Sequence, residues 1–307
     1  MHTDSCFLPA DLMRALTVML FCCVFGISVV HAQEATAPKR VLDFEGNKIF
    51  SKAELLEVAN SCLAANSKSQ DDNDPLEYCL HKVRQSMFAK GYMHAQLGKP
   101  LQEQTDNGFR TVISVKEGPL FRLGEVEIEG SRILAPSQIR EMFELKTGDI
   151  ASSERIAEWI YERVKKAYAN LGYIQYTAEV TPKFHRKDDA SEGVVDFAVT
   201  IDEGSAFTIA AIKFVGNENV SRDVLLREMT LRNGDVYSQD QFDNSLQRLS
   251  QNGQFETIDA DKDVDWNVDK QAPRVSLTIH LKKRVAGAAA LAPLPRPIGQ
   301  AIVFQAH

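Results

Sequence analysis

Three times along this chain an alternating apolar run ends in Gly-Asn or Gly-Ser: Val41 to Asn47, Val126 to Ser131 and Ile212 to Asn217. The marker glycines Gly46, Gly130 and Gly216 lie 84 and 86 residues apart. A repeat at a near-constant period constrains the fold before any single residue does, because each copy must be one supersecondary unit set beside its neighbours. It also lowers the expectation of catalysis, since tandem copies of a small module ordinarily build an extended binding surface.

The middle copy reads most clearly. Arg122 to Glu129 alternates as a half-buried strand does. Pro136 and Ser137 open a short helix, and Lys146-Thr147-Gly148-Asp149 breaks the chain after it. Ser152 or Ser153 can cap a second helix by offering a side-chain oxygen to its free amides. Ile156, Ile160, Val164, Ala167, Tyr168 and Leu171 give that helix one apolar face, and Gly172 ends it. A strand around Gln175 to Thr181 follows, then one in which Val195, Phe197, Val199 and Ile201 alternate, closed by Asp202-Glu203-Gly204.

The first copy repeats this order. Asp74-Pro75-Leu76-Glu77 supplies a cap, a proline at the first helical position and an acid three residues after the cap. Leu76, Leu80, Val83 and Met87 form the apolar face, Gly91-Tyr92 ends the helix, and Lys116-Glu117-Gly118 closes the copy. In the third, Ser221 and Ser238 head the helices and Gly253 ends the second. Arg274 to Lys283 is the last strand, and Lys282-Lys283-Arg284 replaces the Glu-Gly closure. The expected fold class is therefore α+β: three tandem β-α-α-β-β modules, each a three-stranded mixed sheet covered by two helices. The boundaries are 40–118, 119–204 and 205–284, with 285–307 an aperiodic tail read as disordered.

At the N-terminus Arg14 precedes an apolar stretch, Ala15 to Val30, and Val30-His31-Ala32 places small residues before a cut between Ala32 and Gln33. That is a secretory signal peptide over residues 1–32, with a retained anchor as the alternative. Cleavage leaves Cys62 and Cys79 as the only cysteines, which in an oxidising compartment read as a disulfide; two buried free thiols are the alternative. Hydrophobic residues make up 44% of the chain and charged ones 25%, a globular balance. The net charge of −7 argues against a nucleic-acid-binding body.

Phe44-Glu45-Gly46-Asn47 and Phe214-Val215-Gly216-Asn217 after first strands, Gly91-Tyr92 and Gly172-Tyr173 after second helices, and the Glu-Gly closures at 117 and 203 carry a resemblance. Over roughly residues 40–284 the chain resembles the POTRA (polypeptide-transport-associated) domains of the outer-membrane protein assembly and two-partner-secretion families. The resemblance implies periplasmic modules that receive or pass unfolded outer-membrane or secreted polypeptides and dock β-barrel assembly components, associated with the membrane through partners. Family members usually continue into a membrane β-barrel. Residues 285–307 are too few for the roughly eight strands of about ten residues that the smallest barrel needs. The expectation is a soluble accessory, part of a split system or a truncated product. An inner-membrane-anchored interaction module and a non-functional fragment of an insertase are the rival readings.

The family's sheet order puts the strand after the second helix at an edge, here about residues 95–102, 175–181 and 255–261. An exposed edge offers unpaired amides and carbonyls to an extended client. Gln175, Tyr176, Thr177, Ala178, Glu179 and Val180 are the candidate partner-binding residues, with Pro182 expected to stop the strand. No enzyme chemistry, cofactor or metal is expected. His81, His94, His185, His280 and His307 do not fall at ligand spacing on one element, and no nucleophile elbow or phosphate loop is present. Asp71-Asp72-Asn73-Asp74 lacks the glycine of a calcium loop, Leu76 standing in its place.

Overall fold

The computed structural model describes residues 39–66, 74–106, 108–186, 190–218 and 220–284. The signal peptide with its Ala32–Gln33 cut, Asp71 to Asn73 and the tail 285–307 lie outside the described residues. The elements are β1 (Lys39–Glu45), α1 (Lys52–Asn66), α2 (Pro75–Ala89), β2 (Gln96–Leu97), β3 (Leu101–Thr105), β4 (Gly108–Lys116), β5 (Leu120–Glu129), α3 (Pro136–Glu141) and α4 (Ser153–Glu158). A π-helical segment (Trp159–Val164) continues α4 into α5 (Lys165–Asn170). Then come β6 (Thr177–His185), β7 (Glu192–Asp202), β8 (Thr208–Val215), α6 (Arg222–Glu228), α7 (Gln239–Gln251), β9 (Val264–Val268) and β10 (Arg274–His280).

Contacts divide the chain into two compact units. The smaller holds, among the described residues, 39–41, 102–106 and 108–111. Its β3–β4 ribbon is closed by Thr105, whose hydroxyl donates to the Gly108 carbonyl at 3.1 Å, and by an Arg110–Glu103 ion pair at 3.0 Å.

The larger unit, comprising the other described residues from 42 to 284, contains the three cores. Its sheets are ordered β1-β4-β2, β5-β7-β6 and β8-β10-β9, so the last strand of each copy is central. β5 and β8 run parallel to their central strands, whereas β2, β6 and β9 run antiparallel. The second and third are the expected mixed three-stranded sheets; the first has four strands rather than three, because β3 also pairs with β4. Val195, Phe197, Val199 and Ile201 all point into the second core, and Leu80, Val83 and Met87 of α2 into the first. Asp74 caps α2 by accepting from the Leu76 amide at 2.9 Å. Cys79, fully buried on α2, is bonded to Cys62 of α1.

The π segment has a reason in the sequence. Ile156, Ile160, Val164 and Tyr168 recur every four residues and are all buried. An α-helix at 3.6 residues per turn would rotate such a series off one face, and a segment with i→i+5 bonds absorbs the surplus residue.

The repeated Gly-Asn and Gly-Ser turns mark where each first strand ends beside the last. Gly130, at φ 80°, abuts the Ile201 carbonyl so closely that no side chain fits, and Gly46 and Gly216 meet Val115 and Leu281 in the same way. Two residues beyond those carbonyls stand the closing acids. Glu117, buried, accepts from the amides of Lys48, Ile49 and Phe50 at 2.8–2.9 Å. Glu203 accepts from Arg132 and Ile133 amides at 2.7 and 2.8 Å and from the Tyr168 hydroxyl at 2.8 Å. The Glu-Gly closure is thus a carboxylate tying the end of each module to the turn after its first strand. Lys283 holds that place in the third.

Candidate functional site

β6 is the edge of the second sheet and runs nine residues to His185, through Pro182 rather than stopping at it. Tyr161, on the π segment, donates its hydroxyl to the Ala178 carbonyl at 3.4 Å. That carbonyl therefore faces away from β7. Alternation then turns Val180, Pro182 and Phe184 outward too, so the N–H that proline lacks is one β7 never uses. The expectation that Pro182 ends the strand is corrected on this ground.

Of the six candidate residues, Thr177, Ala178, Glu179 and Val180 lie on β6, where Thr177 pairs with Asp202 and Val180 with Val199. Thr177 and Glu179 are exposed, Ala178 half-buried and Val180 buried in the second core. Gln175 is exposed just before the strand and lies against Gly204 at the join to the third module. Tyr176 is 5% exposed and belongs to the core: its ring stacks on Tyr168 with centroids 4.8 Å apart, and its hydroxyl reaches the Ile160 carbonyl at 3.4 Å. Burial pushes both tyrosines above their ordinary pKa. Tyr161 is raised as well, by burial first and then by the Glu179 carboxylate, so it remains a donor to Ala178.

The other edges differ. In the first sheet β2 is only two residues long, and Gly98-Lys99-Pro100 separates it from β3. Beside this break a cleft of about 610 Å³ opens against α2, walled by Leu80, Leu97 and Pro100 and floored by His81 and Arg84. Burial, with the Arg84 and Lys82 cations, lowers the His81 pKa. The neutral ring accepts from the Arg84 guanidinium through Nδ1 at 3.0 Å. The Arg84 Nε is buried with no partner among the described residues. In the third sheet the edge is β9, not residues 255–261. Phe255 makes only an isolated bridge to Lys283, and Asp259 binds the Asp261 and Asp263 region into a turn. Several polar residues between Phe255 and Val264 favour that turn chemistry over extended pairing.

Sequence reasoning missed Tyr161, whose position between Ile160 and Val164 on a straight α-helix gave no hint that it would reach a strand. It also missed the roles of Glu117 and Glu203, although their fixed offset from the marker glycines was visible. No helix among the described residues is long and apolar enough to cross a membrane.

Comparison with known proteins places these features. Residues 121–204 and 207–284, more than half of the chain, match the family model POTRA, described as surface antigen variable number repeat. A putative outer membrane protein assembly factor of Treponema pallidum is 27% identical over 247 residues, covering 75% of this chain and 29% of that protein. Outer membrane protein assembly factor BamA of Neisseria meningitidis serogroup B is 24% identical over 215 residues, 64% of this chain and 25% of that protein. The chain thus spans under a third of these relatives' length. The crystal structure of Haemophilus influenzae BamA POTRA3-5 superposes with a TM-score of 0.61 at 22% identity, covering 80% of this chain and 96% of that one. It establishes the shared fold.

Proposed function

Since the chain belongs to the POTRA family, we infer that it is a periplasmic binding protein of outer-membrane protein assembly or secretion, exported by its N-terminal signal. Its modules receive unfolded outer-membrane polypeptides and dock assembly partners, the clients pairing as an added strand along β6. The observation that carries this reading is the outward face of β6. Ala178, Val180 and Phe184 present amides and carbonyls that β7 does not use, beside exposed Thr177 and Glu179. Main-chain pairing of this kind is nearly indifferent to client sequence, which suits a receiver of many β-rich chains. The relatives named as assembly factors support the process; the client class rests on the edge.

Two substitutions test it without breaking the ladder. Ala178→Pro removes one outward amide, as Pro182 already does, and leaves every bond to β7 in place. Tyr161→Phe frees the Ala178 carbonyl. Binding of a urea-unfolded outer-membrane β-barrel polypeptide, diluted into buffer and followed by fluorescence anisotropy, should weaken several-fold with Ala178→Pro and strengthen with Tyr161→Phe. Equal binding by all three proteins would remove β6 as the site.

A further inference from the structure

The cleft beside the break between β2 and β3 lies in the first module, apart from β6. Its volume, about 610 Å³, falls within the roughly 300–1,000 Å³ of small-ligand sites. One wall is α2, whose Glu77, Leu80, His81 and Arg84 follow one another at spacings of three, one and three. Those spacings line up along one helix face. The opposite wall, Leu97 to Pro100, is pinned at Gly98. The Gly98 amide donates to the Ser114 carbonyl at 2.8 Å, and a Cβ there would collide with the Ser114 hydroxyl.

Charge is spread along this cleft rather than pooled in it. Asp74 and Glu77, both exposed, stand where α2 begins. Arg84 lies two helical turns beyond Glu77, about 10 Å at 1.5 Å per residue. It is half-buried, and among the described residues its guanidinium meets no carboxylate. Nη2 donates to the neutral His81 ring at 3.0 Å, Nε is buried without an acceptor, and the guanidinium carbon sits 5.9 Å from the centre of the Phe88 ring. A guanidinium answered only by a neutral acceptor keeps its pull on an anion, and its planar fork matches a carboxylate. Lys99, the other cation lining the cleft, is exposed, so water screens it. Between the acidic end and Arg84 the lining is apolar, from Leu80 and Leu97.

We propose that this cleft binds a free short peptide about three residues long. Its terminal ammonium sits at Asp74 and Glu77, its terminal carboxylate at Arg84, and an apolar side chain between Leu80 and Leu97. Three extended residues at about 3.3–3.6 Å each span the same distance of about 10 Å. A compact dianion such as phosphate fits poorly, because two carboxylates stand in the same cleft. An internal stretch of a long unfolded chain carries neither terminal charge and leaves both ends of the cleft unanswered.

The probe is Ala-Leu-Ala with both termini free, titrated into the 15N-labelled full chain near pH 7, where both ends are charged. Saturable amide shifts should centre on residues 74–84 and 97–100. The same tripeptide acetylated at its amino end, or amidated at its carboxyl end, should bind about tenfold or more weakly, a loss of one logarithm in Kd. Those changes sit in the peptide and keep the protein's folding out of the question. Glu77→Gln, on an exposed helix surface, should stay folded, weaken the free peptide about tenfold and leave the acetylated one unchanged. The His81 ring gives a second readout. A carboxylate on Arg84 offsets the cations that lower its pKa, so its titration midpoint should rise with the free peptide and stay in place with the amide. Blocked peptides that bind as tightly as the free one, shifts centred on β6, or no saturable shift at millimolar peptide would each overturn the proposal.

Discussion

Glu203 answers two backbone amides and a tyrosine hydroxyl with one carboxylate oxygen. Burial raises its pKa, and the Ile133 and Arg132 amides with Tyr168 more than offset this, so the net value lies below the usual 4.5. A group whose folded pKa is depressed stabilises the fold above its unfolded value and loses that contribution as pH falls through the folded one. Thermal unfolding of the second core should accordingly be insensitive to Glu203 at low pH and depend on it from about pH 5 upward. At neutral pH Glu203→Gln should cost about 1–3 kcal/mol, the worth of hydrogen bonds to a charged acceptor, measurable by urea unfolding. Cys62 and Cys79 lend themselves to the same measurement. Their bond closes a loop of 17 residues across α1 and α2, and replacing both by serine should lower stability by about 3 kcal/mol on the loop-entropy model. An unchanged unfolding midpoint would refute either expectation.

At the scale of elements, what was legible in the sequence was whatever repeated or alternated. Val195 to Ile201 announced a strand with one buried face, Asp74-Pro75 the start of α2, and the marker glycines the ends of the first strands. The misses share a cause, namely that a pattern was read on an ideal element. The four-residue spacing of Ile156, Ile160, Val164 and Tyr168 passed for an α-helical face, though it needs the π segment. Pro182 looked like a stop because sequence does not reveal which side of an edge strand its missing amide faces. Tyr176 alternates with polar neighbours as a residue of the edge strand would, but it precedes the strand and packs on Tyr168. The third edge is expected at residues 255–261 because the family's sheet order puts a strand directly after the second helix; Phe255 and Ile258 there are buried, Phe255 makes only an isolated bridge, and side-chain bonds hold the rest as a turn before β9.

Across the larger unit the cores run through the joins. Met93 packs in the second core and Ala169 in the third, while Asn170 accepts from the Asp240 amide at 2.8 Å and Lys166 pairs with Asp240 at 2.7 Å. Gly172→Val should therefore do more than strain one residue. By forcing apart Val236 and the Phe207 carbonyl it should split off the unfolding of the third module as a separate, lower transition in calorimetry, and a single unshifted transition would count against coupling through this glycine. The joins also govern how such a chain can be dissected. Counting modules invites a cut at Gly118 or Gly204, but a fragment ending there surrenders Phe121 or Phe207, and with it the cover over Gly91 or Gly172. His94 would lose the Phe121 and Phe184 rings it packs between. A freshly exposed end of that kind is a sticky artefact, so a partner captured by a truncated fragment could be answering a surface that the intact chain never shows.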